Sequence, residues 1–359
     1  MNMLKYNGLF IEVGTSNASN RAKRDSNMEL FRIVATFLIL VVHASFFTLG
    51  APTQVDIATN MVSSFTRFFV QAISIVSVNA FVLLSGWFGI RPKASSFFNF
   101  VFQILFWAIG IYVVCLICGF AKLNIGGVLY CFQMRDFGWF IKAYIGLLIL
   151  APILNVFIDN VAEKQLRNTL ILFYIFQTLY GWFPGGAQFF EYGYSTMSFI
   201  GLYLLARYIR LYMIDIVQWN KWFDLLGYFG VVFFIAIVAF ITKKIGVGFI
   251  SDKMYDYSSP FVVLAPIFLL LFFSKLSFQS KLINWIGASS FAAFLLHANI
   301  NILRPIFGEH IRYIYNSFDG VIVLLFAFVY LLTVFILAVL IDQVRIFIWD
   351  KLQPLFLKK

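Results

Sequence analysis

The chain has 359 residues, of which 62% are hydrophobic and only 12% are charged, and its formal net charge is +11. Because a soluble domain is about 25% charged, this composition excludes a water-soluble globule and requires lipid as the solvent for most of the chain. A disordered chain, a coiled coil and a disulfide-rich secreted scaffold are excluded as well. In a membrane protein, an excess of Lys and Arg more often sets the orientation in the bilayer than binds nucleic acid. We therefore expect no nucleic-acid partner.

Hydropathy predicts an all-α, polytopic membrane protein with about ten transmembrane helices, each near the roughly 20 residues that cross a bilayer. Residues 1–27 are polar and are predicted to be a cytoplasmic tail, because the apolar run after them shows no signal-peptide cleavage site. Residues 28–342 are predicted to form the membrane domain, and residues 343–359 a cytoplasmic C-terminal tail. The predicted spans are 28–49, 65–90, 97–119, 138–158, 168–183, 195–213, 223–241, 259–274, 284–305 and 320–342.

The distribution of basic residues predicts that both termini are cytoplasmic. With the N-terminus inside, 18 of the 27 Lys and Arg residues lie on the inner side, in agreement with the positive-inside rule. The two halves of the chain show no convincing relation, which argues against an inverted-repeat transporter. The sequence leaves the oligomeric state open, because exposed apolar surface is the rule in a membrane.

The first predicted span carries Arg32 and His43, eleven residues apart. Eleven steps of 100° return to within about 20° of the starting direction, so both side chains share one helix face, separated by roughly 16 Å. Arg32 either extends to the water interface or pairs with Glu29, and His43 either makes an interhelical hydrogen bond or does chemistry. A neutral imidazole suits removal of a proton from a sugar hydroxyl near neutral pH, and it is also a suitable acyl carrier.

Polar side chains also mark the second and fourth spans. Ser74 and Ser77 are typical of helix packing, whereas the amide of Asn79 needs several hydrogen-bond partners if it is buried. Trp139, at the start of the fourth span, is typical of an interface anchor, and Lys142 is typical of a lysine that extends to the interface.

The ninth span carries a second histidine, His297, roughly 20 Å from the inner end of that span at Asn284. His43 lies at a similar depth, so the two imidazoles indicate a shared site if their helices are neighbours. The third histidine, His310, falls in an outer loop and is predicted to be solvated. The three cysteines have no further ligand at metal spacing, so no metal site is predicted.

Four segments in order carry a resemblance to a known family. They are the R-x10-H arrangement of Arg32 and His43, VNAFVLLSGWF after the polar second span, WFIKAYIGLLILAP at the start of the fourth, and SSFAAFLLH in the ninth. In this ordered set the chain resembles acyltransferase family 3, the integral-membrane acyltransferases that modify bacterial surface glycans and other exported molecules. The resemblance implies a location in the bacterial cytoplasmic (inner) membrane.

The resemblance also implies a donor and an acceptor. The donor is an acyl-CoA, usually acetyl-CoA, used from the cytoplasm, and the acceptor is a hydroxyl of a saccharide, either a surface glycan or a lipid-linked one. The CoA phosphates are expected near Arg32, Arg91 and Lys93, since guanidinium and ammonium groups suit phosphate recognition. His43 is expected to deprotonate the acceptor or to carry the acyl group, with Asn79 as one orienting or oxyanion-stabilising residue.

His297 is the second residue expected to orient His43 or to stabilise the oxyanion. Because His43 falls in the outer half of its span, the acceptor is expected to approach from outside. Trp139, Lys142 and Glu191 are the predicted substrate-binding residues. Aromatic rings with a carboxylate suit carbohydrate faces and hydroxyls, and they also suit a membrane interface.

The chain departs from the family pattern at one position. Many members have an R-x-x-R motif after the second span, whereas this chain has Arg91-Pro92-Lys93 there, followed by Asn99 and Gln103 where basic residues are expected. Arg91 and Lys93 then supply positive charge from a slightly different place.

A transporter or flippase of a glycan intermediate is the competing interpretation. The transporter interpretation predicts acidic coupling residues or broken helices at the membrane midplane. The sequence places no Asp or Glu deep in any predicted span. The enzyme interpretation instead predicts that Arg32 and His43 share a helix face and that CoA binds on the cytoplasmic side.

Overall fold

The protein is a helical bundle in the computed structural model, which describes residues 25–91, 93–132, 138–182 and 189–356. Every regular element within those ranges is helical, which confirms the predicted all-α class. The α-helices are α1 (Ser26–Ala44), α2 (Phe46–Leu49), α3 (Gln54–Thr59), α4 (Met61–Ile75), α5 (Ser77–Phe88), α6 (Ala94–Ile117), α7 (Ile125–Cys131), α8 (Trp139–Asn160), α9 (Glu163–Trp182), α10 (Thr196–Tyr212), α11 (Ile214–Gln218), α12 (Lys221–Lys244), α13 (Gly248–Lys253), α14 (Pro260–Ser274), α15 (Lys281–Ser289), α16 (Phe291–His297), α17 (Ile300–Ile302), α18 (Glu309–Ser317) and α19 (Val321–Phe356). A 3-10 turn covers Glu191–Gly193, and a π-helix covers Leu303–Gly308.

Six helical stretches in the described ranges are long and apolar enough to cross a membrane, as a multi-pass membrane protein requires. They are Ser26–Leu49, Met61–Phe88, Ala94–Ile117, Trp139–Asn160, Lys221–Lys244 and Val321–Pro354. A seventh candidate is broken, because Lys281–His297 and Ile300–Ser317 meet at an angle of 61°. The predicted count of ten is not confirmed: α9 begins with charged residues, and α10 and α14 have only 17 and 15 residues.

Helix α1 is surrounded by other helices and carries the centre of the core. It packs against α4, α5, α14, α15, α16 and α19, and its residues Phe31, Ala35 and Leu40 are completely buried. Helices α12 and α19 instead expose apolar side chains such as Phe233 and Leu325, as expected of surfaces that face lipid. The two functional candidates of α1 therefore lie in a helix that protein encloses on several sides.

A glycine sets the contact between α5 and α10. A Cβ on Gly86 would lie 2.6 Å from the carbonyl oxygen of Tyr203 and 2.9 Å from the Cβ of Ala206. Small residues allow transmembrane helices to approach closely, which increases van der Waals contact between their backbones. This contact fixes the end of α5 and the loop after it against α10.

Helix α19 does not end where the predicted membrane domain ends at residue 342. It continues to Phe356, so residues 343–356 of the predicted C-terminal tail are helical. Near that boundary Asp342 is fully buried and forms an ion pair of 2.7 Å with Arg345. Arg345 also donates to Asn99 at 2.9 Å, and Asp342 accepts from Trp107 at 3.1 Å. These bonds join α19 to α6.

The structure also buries two further acids, Glu29 and Asp224. Asp224, in the first turn of α12, contacts Lys275 at 2.5 Å. Like Asp342, it lies at the edge of an apolar stretch and not at its centre. Each of the three buried acids, Glu29, Asp224 and Asp342, therefore compensates a basic residue.

Candidate active site

Helix α1 carries Arg32 and His43 without a break between them. The helix runs from Ser26 to Ala44, so the two side chains share a face and stand roughly 16 Å apart along the axis. His43 lies in the last turn, and the chain changes direction at Ser45 before the short helix α2. The cation and the imidazole thus lie at different depths on one rigid element.

The structure brings His43 and His297 into direct contact. Nδ1 of His43 lies 2.8 Å from Nε2 of His297, and the ring centroids are 5.0 Å apart. His297 is the last residue of α16, immediately before the 61° break in the helix pair. Broken helices at membrane depth are tolerated where they are enclosed by protein or line a cavity, which is the usual setting of a site.

The hydrogen bonds of His297 determine the tautomer of both neutral rings. Nδ1 of His297 lies 2.5 Å from the carbonyl oxygen of Ala293, which can only accept, so this nitrogen carries the proton. Nε2 of His297 then has the lone pair and accepts from Nδ1–H of His43. The unprotonated nitrogen of His43 is consequently Nε2, which has the lone pair that a base or a nucleophile requires.

Aromatic side chains surround this pair. Phe307 and Phe294 lie 5.2 and 6.1 Å from the ring of His297, which is completely buried. Phe47 lies 5.2 Å from the ring of His43 and is half exposed. Since His43 is partly exposed and His297 is not, a reactant reaches the pair through His43.

Arg32 forms the predicted pair with Glu29. Nη1 of Arg32 donates to both carboxylate oxygens of Glu29, at 3.0 and 2.8 Å. Glu29 packs against Gly287, where any Cβ would overlap the carboxylate. The structure gives Nε and Nη2 of Arg32 no acceptor among the described residues, so one edge of the guanidinium is open to an anion.

Asn79 contacts neither histidine. Its amide nitrogen donates to the carbonyl oxygens of Tyr257 at 3.0 Å and of Val262 at 3.1 Å. Asn79 is buried, and these bonds tie α5 to the start of α14. The geometry therefore favours a structural role for this amide over the predicted role beside His43.

Arg91 and Lys93 lie in the loop between α5 and α6, and both are exposed. The loop itself is firmly held at Ile90, whose N–H donates to the hydroxyl of Tyr203 at 2.9 Å. The carbonyl of Ile90 accepts from the amide of Asn155 at 2.7 Å. The two basic residues thus follow a backbone segment that these bonds hold at Ile90.

The structure describes the side chains of two of the three predicted substrate-binding residues, Trp139 and Lys142, which lie one turn apart on α8. Trp139 packs against Tyr194 and Tyr257, with ring centroids 4.4 and 5.6 Å away. Lys142 is exposed. Glu191 belongs to the 3-10 turn, but its side chain lies outside the described part of the structure.

The third histidine is exposed, as predicted, but it lies in the first turn of α18 and not in an outer loop. His310 is exposed, its Nδ1 lies 2.7 Å from the carbonyl oxygen of Ile306, and its ring stacks on Tyr330.

Sequence reasoning missed Arg207 and Arg210, which lie on α10 beside the α5–α6 loop. Arg210 donates to the carbonyl of Trp87 at 2.5 Å. The guanidinium of Arg207 lies beside Gly89, where a Cβ would come within 3.4 Å of Nη1. The available signal was the spacing R-Y-I-R, which places two cations on one helix face near its end.

Comparison with known proteins identifies the family of this chain. The model of acyltransferase family 3, described as an acyltransferase domain, matches residues 25–342. No significant match was found among curated proteins or among solved structures. The matched region covers both histidines, Arg32 and the α5–α6 loop, and extends over most of the chain. The protein therefore belongs to acyltransferase family 3 and is a multi-pass membrane protein of that family.

Proposed function

We propose that the protein is a membrane O-acyltransferase that moves an acyl group, typically acetyl, from cytoplasmic acyl-CoA to a hydroxyl of a surface or lipid-linked glycan. The observation that carries the proposal is the His43–His297 contact on the same face of α1 as Arg32. Family membership supports acyl transfer, and the contact supports His43 as the residue that performs it.

The reaction follows from the tautomer assigned to His43. Nε2 takes the proton of the acceptor hydroxyl while the oxygen attacks the thioester carbonyl carbon, giving a tetrahedral intermediate. The C–S bond then breaks, and the departing thiolate takes the proton from Nε2, which yields the ester and free CoA. While His43 is protonated, its Nδ1–H donates a charge-assisted hydrogen bond to Nε2 of His297.

A second route uses the same nitrogen as a nucleophile. Nε2 attacks the thioester carbonyl carbon and the C–S bond breaks, so that CoA leaves as the thiolate. The acceptor oxygen then attacks the acyl-imidazole carbon, the N–C bond breaks, and the hydroxyl proton neutralises the CoA thiolate. The two routes differ in one observable, because only the second gives a labelled protein when acetyl-CoA is added without acceptor.

We assign the donor phosphates to the end of the bundle where Arg32 lies. The open edge of its guanidinium matches the geometry of phosphate oxygens, and Glu29 holds it in place. Arg91 and Lys93 add positive charge from the exposed loop after α5. The pantetheine arm would then follow α1 toward His43.

The acceptor side is proposed at the opposite end. There the aromatic cluster of Trp139, Tyr194 and Tyr257 is of the kind that binds sugars, with Lys142 and Glu191 as further candidates. This arrangement requires both termini in the cytoplasm of a bacterial inner membrane. It is also consistent with ten spans if α9, α10, α14 and the broken pair cross the bilayer. Cysteine labelling of intact cells at introduced terminal positions tests the orientation.

The decisive experiment compares His43→Ala with His310→Ala in purified protein. His310 is a matched control because its exposed ring bonds only within its own helix region and stacks on Tyr330. CoA release from acetyl-CoA in the presence of glycan acceptor should be abolished in His43→Ala and retained in His310→Ala. Normal turnover by folded His43→Ala would disprove the assignment.

The broken pair around His297 is also a feature of transporters. If the folded wild-type protein binds no acyl-CoA but moves a glycan lipid between leaflets, the protein is a flippase and not an acyltransferase.

A further inference from the structure

The guanidinium of Arg207 is half-buried and has no partner in the described part of the chain. Its Nε is completely buried without a hydrogen-bond acceptor, and no ion pair or hydrogen bond joins its other nitrogens to described residues. A buried donor without an acceptor is destabilising, and more so when it is charged. Because the side chain as a whole is only half-buried, an anion can reach the Nη groups of Arg207 that no described residue bonds.

The residues beside Arg207 leave its Nη groups without a side-chain acceptor. Gly89 has a φ of +77° and presents no side chain to the guanidinium. Arg210, one turn further along α10, is already occupied, because it donates to Trp87 and lies over the rings of Trp87 and Phe88. Arg210 thus fixes the end of α5, and Arg207 keeps its donors for a ligand.

No ion pair joins Arg207 to an acidic side chain in the described part of the chain. Glu163 accepts from Tyr208 at 2.7 Å and from Arg167 at 3.3 Å, so its carboxylate is engaged on α9. Asp25, which directly precedes α1, is close enough to interact electrostatically with Arg210. This proximity also shows that the end of α10 and the start of α1 lie at one end of the bundle.

Two tyrosines connect the surroundings of Arg32 with those of Arg207. Arg32 is within electrostatic reach of the hydroxyl of Tyr144. Arg207 is within reach of Tyr203, and the two tyrosines interact with each other. A ligand with two separated anionic groups can therefore contact both cations. Arg32 shares α1 with His43, whereas Arg207 is connected to Arg32 through Tyr144 and Tyr203.

We propose that Arg207 binds the 3′-phosphate of the acyl-CoA donor, which rests on the proposed function. The 3′-phosphate is a phosphomonoester with close to two negative charges at neutral pH, and it is distant from the thioester. Arg32 then takes the diphosphate, which is nearer the reacting carbonyl. The planar guanidinium offers paired N–H donors that match phosphate oxygens.

The test measures the affinity of acetyl-CoA and of 3′-dephospho-acetyl-CoA by calorimetry in an uncharged maltoside detergent. Wild type should bind acetyl-CoA at least about tenfold more tightly, the effect of one charge-assisted contact. Arg207→Gln should bring the ratio close to one while leaving the affinity for the dephospho ligand unchanged. Arg167→Gln is the matched control, because it removes one exposed cation from neighbouring α9, and it should keep the wild-type ratio.

Several results would overturn the proposal. If wild type binds both ligands equally, or if Arg207→Gln weakens both to the same extent, the 3′-phosphate does not contact Arg207, although the proposed function stands. If Arg207→Gln loses copurified anionic lipid and keeps the wild-type ratio, the site belongs to a lipid headgroup. If folded wild type binds neither ligand, the proposed function itself fails.

Discussion

Replacement of His297 by Ala removes the group that orients His43. The buried ring accepts the Nδ1–H of His43 at 2.8 Å and donates to Ala293 at 2.5 Å. When Nε2 of His43 takes a proton, the hydrogen bond to His297 becomes one to a charged donor, worth about 1.5–3 kcal/mol. Its loss corresponds to a fall of about 10- to 150-fold in kcat.

The assay follows CoA release at saturating acceptor and separates kcat from the KM for acetyl-CoA. The KM should change little, because Arg32 lies roughly 16 Å from His43 along α1. His297→Gln should recover part of the lost kcat, since its side-chain carbonyl can accept from His43. A residue that matters only for packing would give no such rescue.

Thermal unfolding in detergent serves as the control for folding. If folded His297→Ala keeps the wild-type kcat, His297 does not orient His43. The same follows if His297→Gln has no higher kcat than His297→Ala at equal stability. A rise in KM at unchanged kcat would instead place His297 in donor binding.

Three further predictions concern stability, each measured by thermal unfolding in detergent. Gly86→Ala should lower the free energy of unfolding by about 1–3 kcal/mol because its Cβ meets the α10 backbone, whereas Gly110→Ala, with open space around it, should not destabilise. Asp342→Leu should cost about 3–5 kcal/mol by leaving Arg345 buried without its partner, and adding Arg345→Met should restore most of the loss. Asn79→Ala should lower stability by about 1–3 kcal/mol and leave kcat per folded molecule intact; the opposite pattern would assign Asn79 to the chemistry.

Most of the features predicted correctly from the sequence are determined within one helix, and the exception is a contact between two. The spacing of Arg32 and His43 fixes a shared face in any uninterrupted α-helix, and α1 is uninterrupted between them. The pairing of Arg32 with Glu29 is equally local, at a spacing of three residues. The meeting of His43 and His297 required only that two histidines at similar depth lie on neighbouring helices.

The features that sequence reasoning missed depend on contacts between distant segments. The partners of Asn79 are backbone carbonyls of Tyr257 and Val262, which no side-chain pattern reveals. Arg207 becomes unusual only because packing buries its Nε without an acceptor. Hydropathy also merged the break after His297 into one span, because apolar residues continue on both sides of the 61° bend.

The position of the break has a consequence for how the acyl group moves. Ending α16 at His297 allows its Nδ1 to bond the carbonyl of Ala293 within the helix, while Nε2 points across to His43. If the donor phosphates stay at Arg32 and the thioester reaches His43, only the acyl group needs to pass this point. Phe47 and Phe307 line the pair with apolar surface, which disfavours water as a competing acceptor. Under the proposed orientation, the protein transfers an acyl group across the membrane without moving CoA itself.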